Sequence, residues 1–211
     1  MEKELLKQQQ VEAELINAFK QGKPANFARK NICPFSLFNE TINTSVIFED
    51  AKIEGQVFMG DVSIQGDLNF RNCVIKGSLY LANIKINGNL ILENAKIGGA
   101  INLVGAEMQK DLLANNLQSQ GFLSLAKAKI NGSIFLEKAK INNILYDNFT
   151  VKGDLIMEEA DVKETVNLRE SKIEGLLDLD EIKIGKDLIL EKANFNKTEA
   201  VNIDIKGKTI N

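Results

Sequence analysis

The sequence predicts an all-β chain, a parallel β-solenoid of stacked coils closed at its N-terminal end by a helix. Three observations carry that expectation. An isoleucine-type residue returns every eleven positions, at Ile42, Ile53, Ile64, Ile75, Ile86, Ile97, Met108, Ile130 and Ile141, and after a one-residue slip at Val151, Val162, Ile173, Ile184 and Phe195. A short fixed period marks copies of one unit that bury a face only by stacking. Within each unit apolar residues then alternate, as in Ala95, Ile97, Ile101 and Leu103, with Gly99 between the two pairs. Alternation with period two is a strand signal, because successive side chains leave a strand on opposite faces. Finally, the period runs almost without insertion from residue 42 to residue 195, so one elongated core accounts for most of the 211 residues.

Taken in chain order, residues 1–30 read as a capping helix and linker, and residues 31–211 as the solenoid. Leu5, Val11, Leu15, Ile16 and Phe19 have helical spacing, and Gly22 and Pro24 end that run. A terminal coil left open exposes its core and its strand edges, so a cap is the plain role for this helix; docking a partner is the sharper one. Residues 31–48 enter the repeat raggedly. The regular unit reads A-x-I-x-G-x-L-x-L-x-x, its glycine and closing polar pair supplying corners. One such unit is too short to enclose a core, so two units, 22 residues, make a coil of four short faces. Stacking at the ~4.8 Å strand spacing gives about seven coils and a rod roughly 35 Å long. Residues 22 apart then lie above one another. From Asn194 onward the register is expected to fade.

Segments such as Ala95-Lys96-Ile97-Gly98-Gly99 and Ala128-Lys129-Ile130-Asn131-Gly132 resemble pentapeptide repeats, in which the central apolar residue and the small residue two before it both point inward. Each is followed by a six-residue strand segment, giving a 5+6 variant, and the position after the small residue is usually Lys where the family pattern has Asp or Asn. The resemblance covers residues 40–195 and implies a right-handed quadrilateral β-helix. It implies no activity, since the pattern specifies packing alone.

Composition narrows the function. A formal net charge of −3 gives no general attraction to nucleic acid or anionic membrane. Two cysteines, Cys33 and Cys73, are too few for a disulfide framework, and Cys73 sits at an inward repeat position. The polar start, Met1 to Gln10, carries no apolar leader core, and no stretch reaches the ~20 apolar residues of a membrane span, which points to the cytoplasm. The chain has no histidine, which removes His-based triads, the usual zinc and iron sites and the commonest general base. Without inserted loops there are no walls for a cleft. The acidic pairs Glu158-Glu159 and Asp180-Glu181 read as a solvated edge with nothing nearby to raise a carboxylate pKa, and Gly98-Gly99 as a corner with no helix behind it to hold a phosphate. No enzyme activity, cofactor, metal or small-molecule substrate is expected.

What specificity there is lies on the outside. Five residues after the isoleucine of alternate units stand Ile91, Leu113, Phe135 and Ile156, bounded by Asn69 and Asp178. An apolar residue at one solvent-facing strand site is ordinary; four in consecutive register read as an interface for a protein partner or for a second copy of the chain. The corresponding set on the opposite face (Phe58, Tyr80, Asn102, Ser124, Tyr146, Asn167, Ile189) is mixed. The expected function is therefore a rigid, non-enzymatic interaction scaffold. Two other roles are weighed against it. A DNA-mimicking modulator of type II topoisomerase, as in acidic pentapeptide-repeat rods, needs one strongly negative face, yet Lys52, Lys85, Lys96, Lys129, Lys140, Lys172 and Lys183 recur in one column. A self-polymerising cytoskeletal β-helix needs two open ends, against the helical cap.

Overall fold

The computed structural model describes residues 5–211, the side chain of Phe19 excepted; Phe19, expected on the apolar face of the helix, and the polar stretch 1–4 fall outside that description. The chain is a parallel β-solenoid with four two-residue strands per turn. In the turn beginning at Val74, face 1 is Val74–Ile75, face 2 Leu79–Tyr80, face 3 Lys85–Ile86 and face 4 Leu90–Ile91. Their parallel partners lie 22 residues on, at Lys96–Ile97, Ile101–Asn102, Glu107–Met108 and Leu112–Leu113. Faces 1 and 2 belong to a 17-stranded sheet, and faces 3 and 4 to a 15-stranded one.

The alternation in sequence becomes one core along the axis. Each half-turn sends four side chains inward: Cys73, Ile75, Leu79 and Leu81 are fully buried, as are Ile84, Ile86, Leu90 and Leu92 in the next half. Burying a large aliphatic side chain is worth about 1.5–3 kcal/mol, so the stack of such layers dominates stability. Burial pushes the Cys73 thiol up to about 12, so its thiolate is scarce at neutral pH.

Corners are divided between two residue types. The glycine two after the isoleucine does not use its conformational freedom; Gly66, Gly77 and Gly88 are absent from the positive-φ residues. Its role is closeness. A Cβ on Gly88 would lie 2.6 Å from the backbone of Gly66 one turn earlier. The left-handed conformation falls six residues later, at Asn72 (φ 54), Asn83 (φ 55) and Asn94 (φ 56), where a short amide side chain tolerates it. These side chains also bond along the axis, Asn94 Nδ2 donating to Asn72 Oδ1 at 3.1 Å and Asn72 Nδ2 to Asp50 Oδ1 at 3.0 Å. At the corner between faces 3 and 4 a second ladder satisfies the backbone: Asn89 N–H donates to Asp67 Oδ1 (2.7 Å), Ser133 N–H to Asp111 Oδ1 (2.8 Å) and Leu176 N–H to Asp154 Oδ1 (2.7 Å).

The stack has about nine turns rather than seven, because pairing starts earlier and ends later than the apolar pattern. Leu5, assigned to the helix by its spacing, stands with Leu6 in a strand paired to Asn31–Ile32, and Ala25–Asn26 pair with Val46–Ile47. At the far end Asp204–Ile205 pair with Lys183–Ile184, and Thr209–Ile210 with Leu188–Ile189. The backbone register thus survives where the sequence pattern fades. Helix α1 (Gln8–Gln21) sits over the first coil with Val11, Leu15 and Ala18 buried. Gln10 Oε1 accepts the Lys7 N–H at 2.8 Å, half of a capping box. Gly22 (φ +61) ends the helix while Lys23 N–H reaches the Ala18 carbonyl at 3.1 Å, the bond of a Schellman stop.

The one-residue slip lies at a corner. Ile141 and Ile144 are three apart where the neighbouring units have four, and the shortened corner flattens into one continuous strand, Lys140–Leu145, against Gln118–Ser124. This corrects one outward assignment. Leu145, not Tyr146, pairs with Ser124 and Asn167 on the outside of face 2, and Tyr146 turns inward. Its hydroxyl is buried without a hydrogen-bond partner, its ring 5.0 Å edge-on from Phe149. A single-residue change in strand register exchanges inside for outside.

Candidate interaction surfaces

On face 4 the ladder runs Val46–Ile47, Leu68–Asn69, Leu90–Ile91, Leu112–Leu113, Ile134–Phe135, Leu155–Ile156 and Leu177–Asp178. The first residue of each pair is buried and the second half-exposed. Ile91, Leu113, Phe135 and Ile156 therefore stand in one outward column, flanked by Asn69 and Asp178. Three steps at the ~4.8 Å spacing make the column roughly 15 Å long.

Its two edges differ in charge. Beyond the turn leading to face 1 lie Glu93, Glu137, Glu158, Glu159 and Asp180. Asn115 Nδ2 donates to Glu137 Oε2 at 3.1 Å, and Lys138 pairs with Glu159 at 3.2 Å. Glu158 is raised above the ordinary carboxylate range by partial desolvation and then by Asp178, Glu137 and Glu159, which corrects the expectation that nothing around these pairs perturbs a carboxylate. The other edge, toward face 3, presents exposed Lys129 and Lys152; the aspartates there, Asp111 and Asp154, are half-buried and accept backbone N–H groups. One edge is predominantly acidic, with Arg71 and Lys138 paired to Glu93 and Glu159, and the other presents exposed lysines, of which Lys152 also acts on Glu174.

The lysine column divides between two faces. Lys52, Lys96, Lys140 and Lys183 stand on face 1, interrupted by Val74, Gln118 and Asp161, and Lys85, Lys129 and Lys172 on face 3. On face 1 Glu54 sits between Lys52 (2.7 Å) and Lys76, and hydrogen bonds from both hold its carboxyl below the ordinary range. Face 2 carries an outward aromatic stack, Phe58 on Tyr80 with centroids 4.6 Å apart and planes at 7°; rings stacked on each other present edges outward, which gives no flat platform for a ligand. A groove lined by Leu15, Ile16, Leu37 and Ile42 runs beside helix α1, a feature that sequence spacing could not show because it depends on the angle at which the helix meets the coil.

Among the described residues no group of three His, Cys, Asp or Glu side chains is placed to hold a metal, and no helix is long and apolar enough to cross a membrane. No protein-family model matches the chain, and no curated protein is significantly similar to it.

Proposed function

We propose that this chain is a non-enzymatic, cytoplasmic interaction scaffold of the pentapeptide-repeat-like kind, and that it self-associates through face 4. The observation that carries the reading is the unbroken column Ile91–Leu113–Phe135–Ile156, one apolar side chain per turn over four consecutive turns of face 4. A second copy is the occupant that the edge charges favour. With the two-fold axis along the rod, two parallel copies lay the acidic edge of each over the lysine edge of the other, Glu137 toward Lys129 and Glu158 toward Lys152 in the same turn. With the axis across the rod, acidic edge meets acidic edge, and like charges brought together disfavour that pairing. The apolar column is short against a standard interface of about 800 Å² per partner, so a dissociation constant in the micromolar range is expected. The lysine columns on faces 1 and 3 weigh against DNA mimicry, which needs a continuous negative face.

Light scattering tests this directly. The wild type should show a concentration-dependent rise toward twice the chain mass, and Ile91→Asp with Phe135→Asp should hold it at one. A wild type that stays monomeric at high micromolar concentration removes self-association. A dimer unaffected by the double substitution removes face 4.

A further inference from the structure

The middle of face 1 is shallowly concave, in a way the repeat by itself does not produce. At Ser119 the inward isoleucine of the unit is replaced by a small residue, its hydroxyl donating to the Gly99 carbonyl at 2.9 Å. One turn earlier the residue after the isoleucine is Gly98, which leaves no side chain above it. Around the resulting depression, of about 390 Å³, stand Lys76, Lys96, Lys140 and Lys163, with the exposed Gln118 and Gln120 between them. The ladder fixes their arrangement. Lys96 and Lys140 lie one turn to either side of Gln118 in one column, and Lys76 and Lys163 two turns to either side of Gln120 in the next.

Elsewhere along this edge lysines are neutralised locally, as in Lys52–Glu54 at 2.7 Å and Lys186–Glu164 at 3.4 Å. Here the positions that would supply an acid hold Gly98, Gln120 and Asn142. Among the described residues, Lys96, Lys140 and Lys163 make no ion pair, and the one carboxylate in the column is Asp161, one turn beyond Lys140 and in the same turn as Lys163. Three lysines without an ion pair, beside a Lys76 that shares Glu54 with Lys52, repel one another unless an anion occupies the space between them. We propose that this depression is a binding site for a compact multivalent anion of the linear oligophosphate class, free or as the tail of a nucleotide. Lys96 and Lys140, two turns or about 10 Å apart at the ~4.8 Å spacing, would grip its ends, and the Gln118 and Gln120 amides would donate to its middle. The inference stands apart from self-association, since face 4 contributes none of these residues.

Isothermal titration of the full chain with inorganic tripolyphosphate, and separately with ATP free of divalent metal, tests it at low salt. The expected result is saturable binding of one anion per chain, at least tenfold tighter than sulfate. It should weaken tenfold or more in Lys96→Gln with Lys140→Gln and remain unchanged in the face 3 control Lys85→Gln with Lys129→Gln. Tighter binding of tripolyphosphate names the free anion as ligand, and tighter binding of ATP names the nucleotide tail. No saturable binding, or equal losses in the two double variants, overturns the site. Unchanged thermal unfolding of both variants excludes misfolding as the cause of any loss.

Discussion

At the N-terminal end helix α1 lays Val11, Leu15 and Ala18 over the first coil and leaves them no more than 8% exposed, whereas in the last turn Val201 is 58%, Ile203 41% and Ile210 40% exposed. Hydrogen bonding does not distinguish these ends. Asp204 N–H still reaches the Ile182 carbonyl at 2.9 Å, and Leu188 N–H the Lys208 carbonyl at 2.9 Å. Backbone pairing therefore propagates register beyond the point at which apolar burial stops, and the two contributions to a repeat stack separate along its axis. Since each turn touches only its neighbours, local stability should follow burial rather than ladder continuity.

The largest test of that contrast substitutes the same kind of residue in the two settings. Leu136→Ala, in a fully buried layer, should cost about 2–5 kcal/mol in urea unfolding, while Ile210→Ala should stay within about 0.5 kcal/mol, like the exposed Lys129→Ala. Comparable losses at Leu136 and Ile210 would mean that the last turn is as well packed as the middle. Next in size, Val11→Ala on the buried side of the capping helix should cost roughly 1–2 kcal/mol and Val201→Ala almost nothing; hydrogen exchange should likewise show amides 204–210 opening well before those of the central turns. A smaller effect of opposite sign is expected at the slipped corner. Tyr146→Phe removes a buried hydroxyl that has no partner, so melting should show a gain of about 1 kcal/mol, and a clear loss would disclose a bond that this phenol makes.

The smallest effect concerns the acidic edge. Glu158 titrates above its ordinary 4.5, so just above that value the folded state holds more protons than the unfolded one. Its charge opposes folding at neutral pH, and the penalty disappears as pH falls through the raised pKa. Glu54 and Glu174 are lowered by hydrogen bonds from their lysine neighbours; they support folding at neutral pH and lose that contribution on acidification. Glu158→Gln should raise the melting temperature slightly at pH 7 and leave it unchanged at about pH 3. Equal shifts at both values would assign the change to the side chain's packing.

Much of the molecule was legible before any coordinates. The inward set, the 22-residue stacking and the column from Ile91 to Ile156 follow from counting, because strand alternation and a fixed period are local properties. Leu145 and Tyr146 were not legible. The slip between Ile141 and Val151 shows that one residue is missing without showing from which corner, and each choice exchanges the faces of every residue in between. The corner chemistry was half legible: glycine marks the bend, yet the left-handed residue comes six positions later, an asparagine at 72, 83 and 94 and a lysine or glutamate at 127, 138, 159 and 181, and only the close approach of Gly66 to Gly88 explains why glycine stands where it does.

Alone, the sequence determined the repeat, the core and the number of residues per turn, since burying alternate side chains leaves a chain of this period one way to stack. The tertiary structure decided which side chains meet across turns: that Glu137, Glu158 and Asp178 crowd together, that Lys96, Lys140 and Lys163 gather around Gln118 without an ion pair, and that one end is covered and the other exposed. Those relations join residues 20 or more apart, and they depend on the length and bend of every corner between them, to which a periodic pattern is blind.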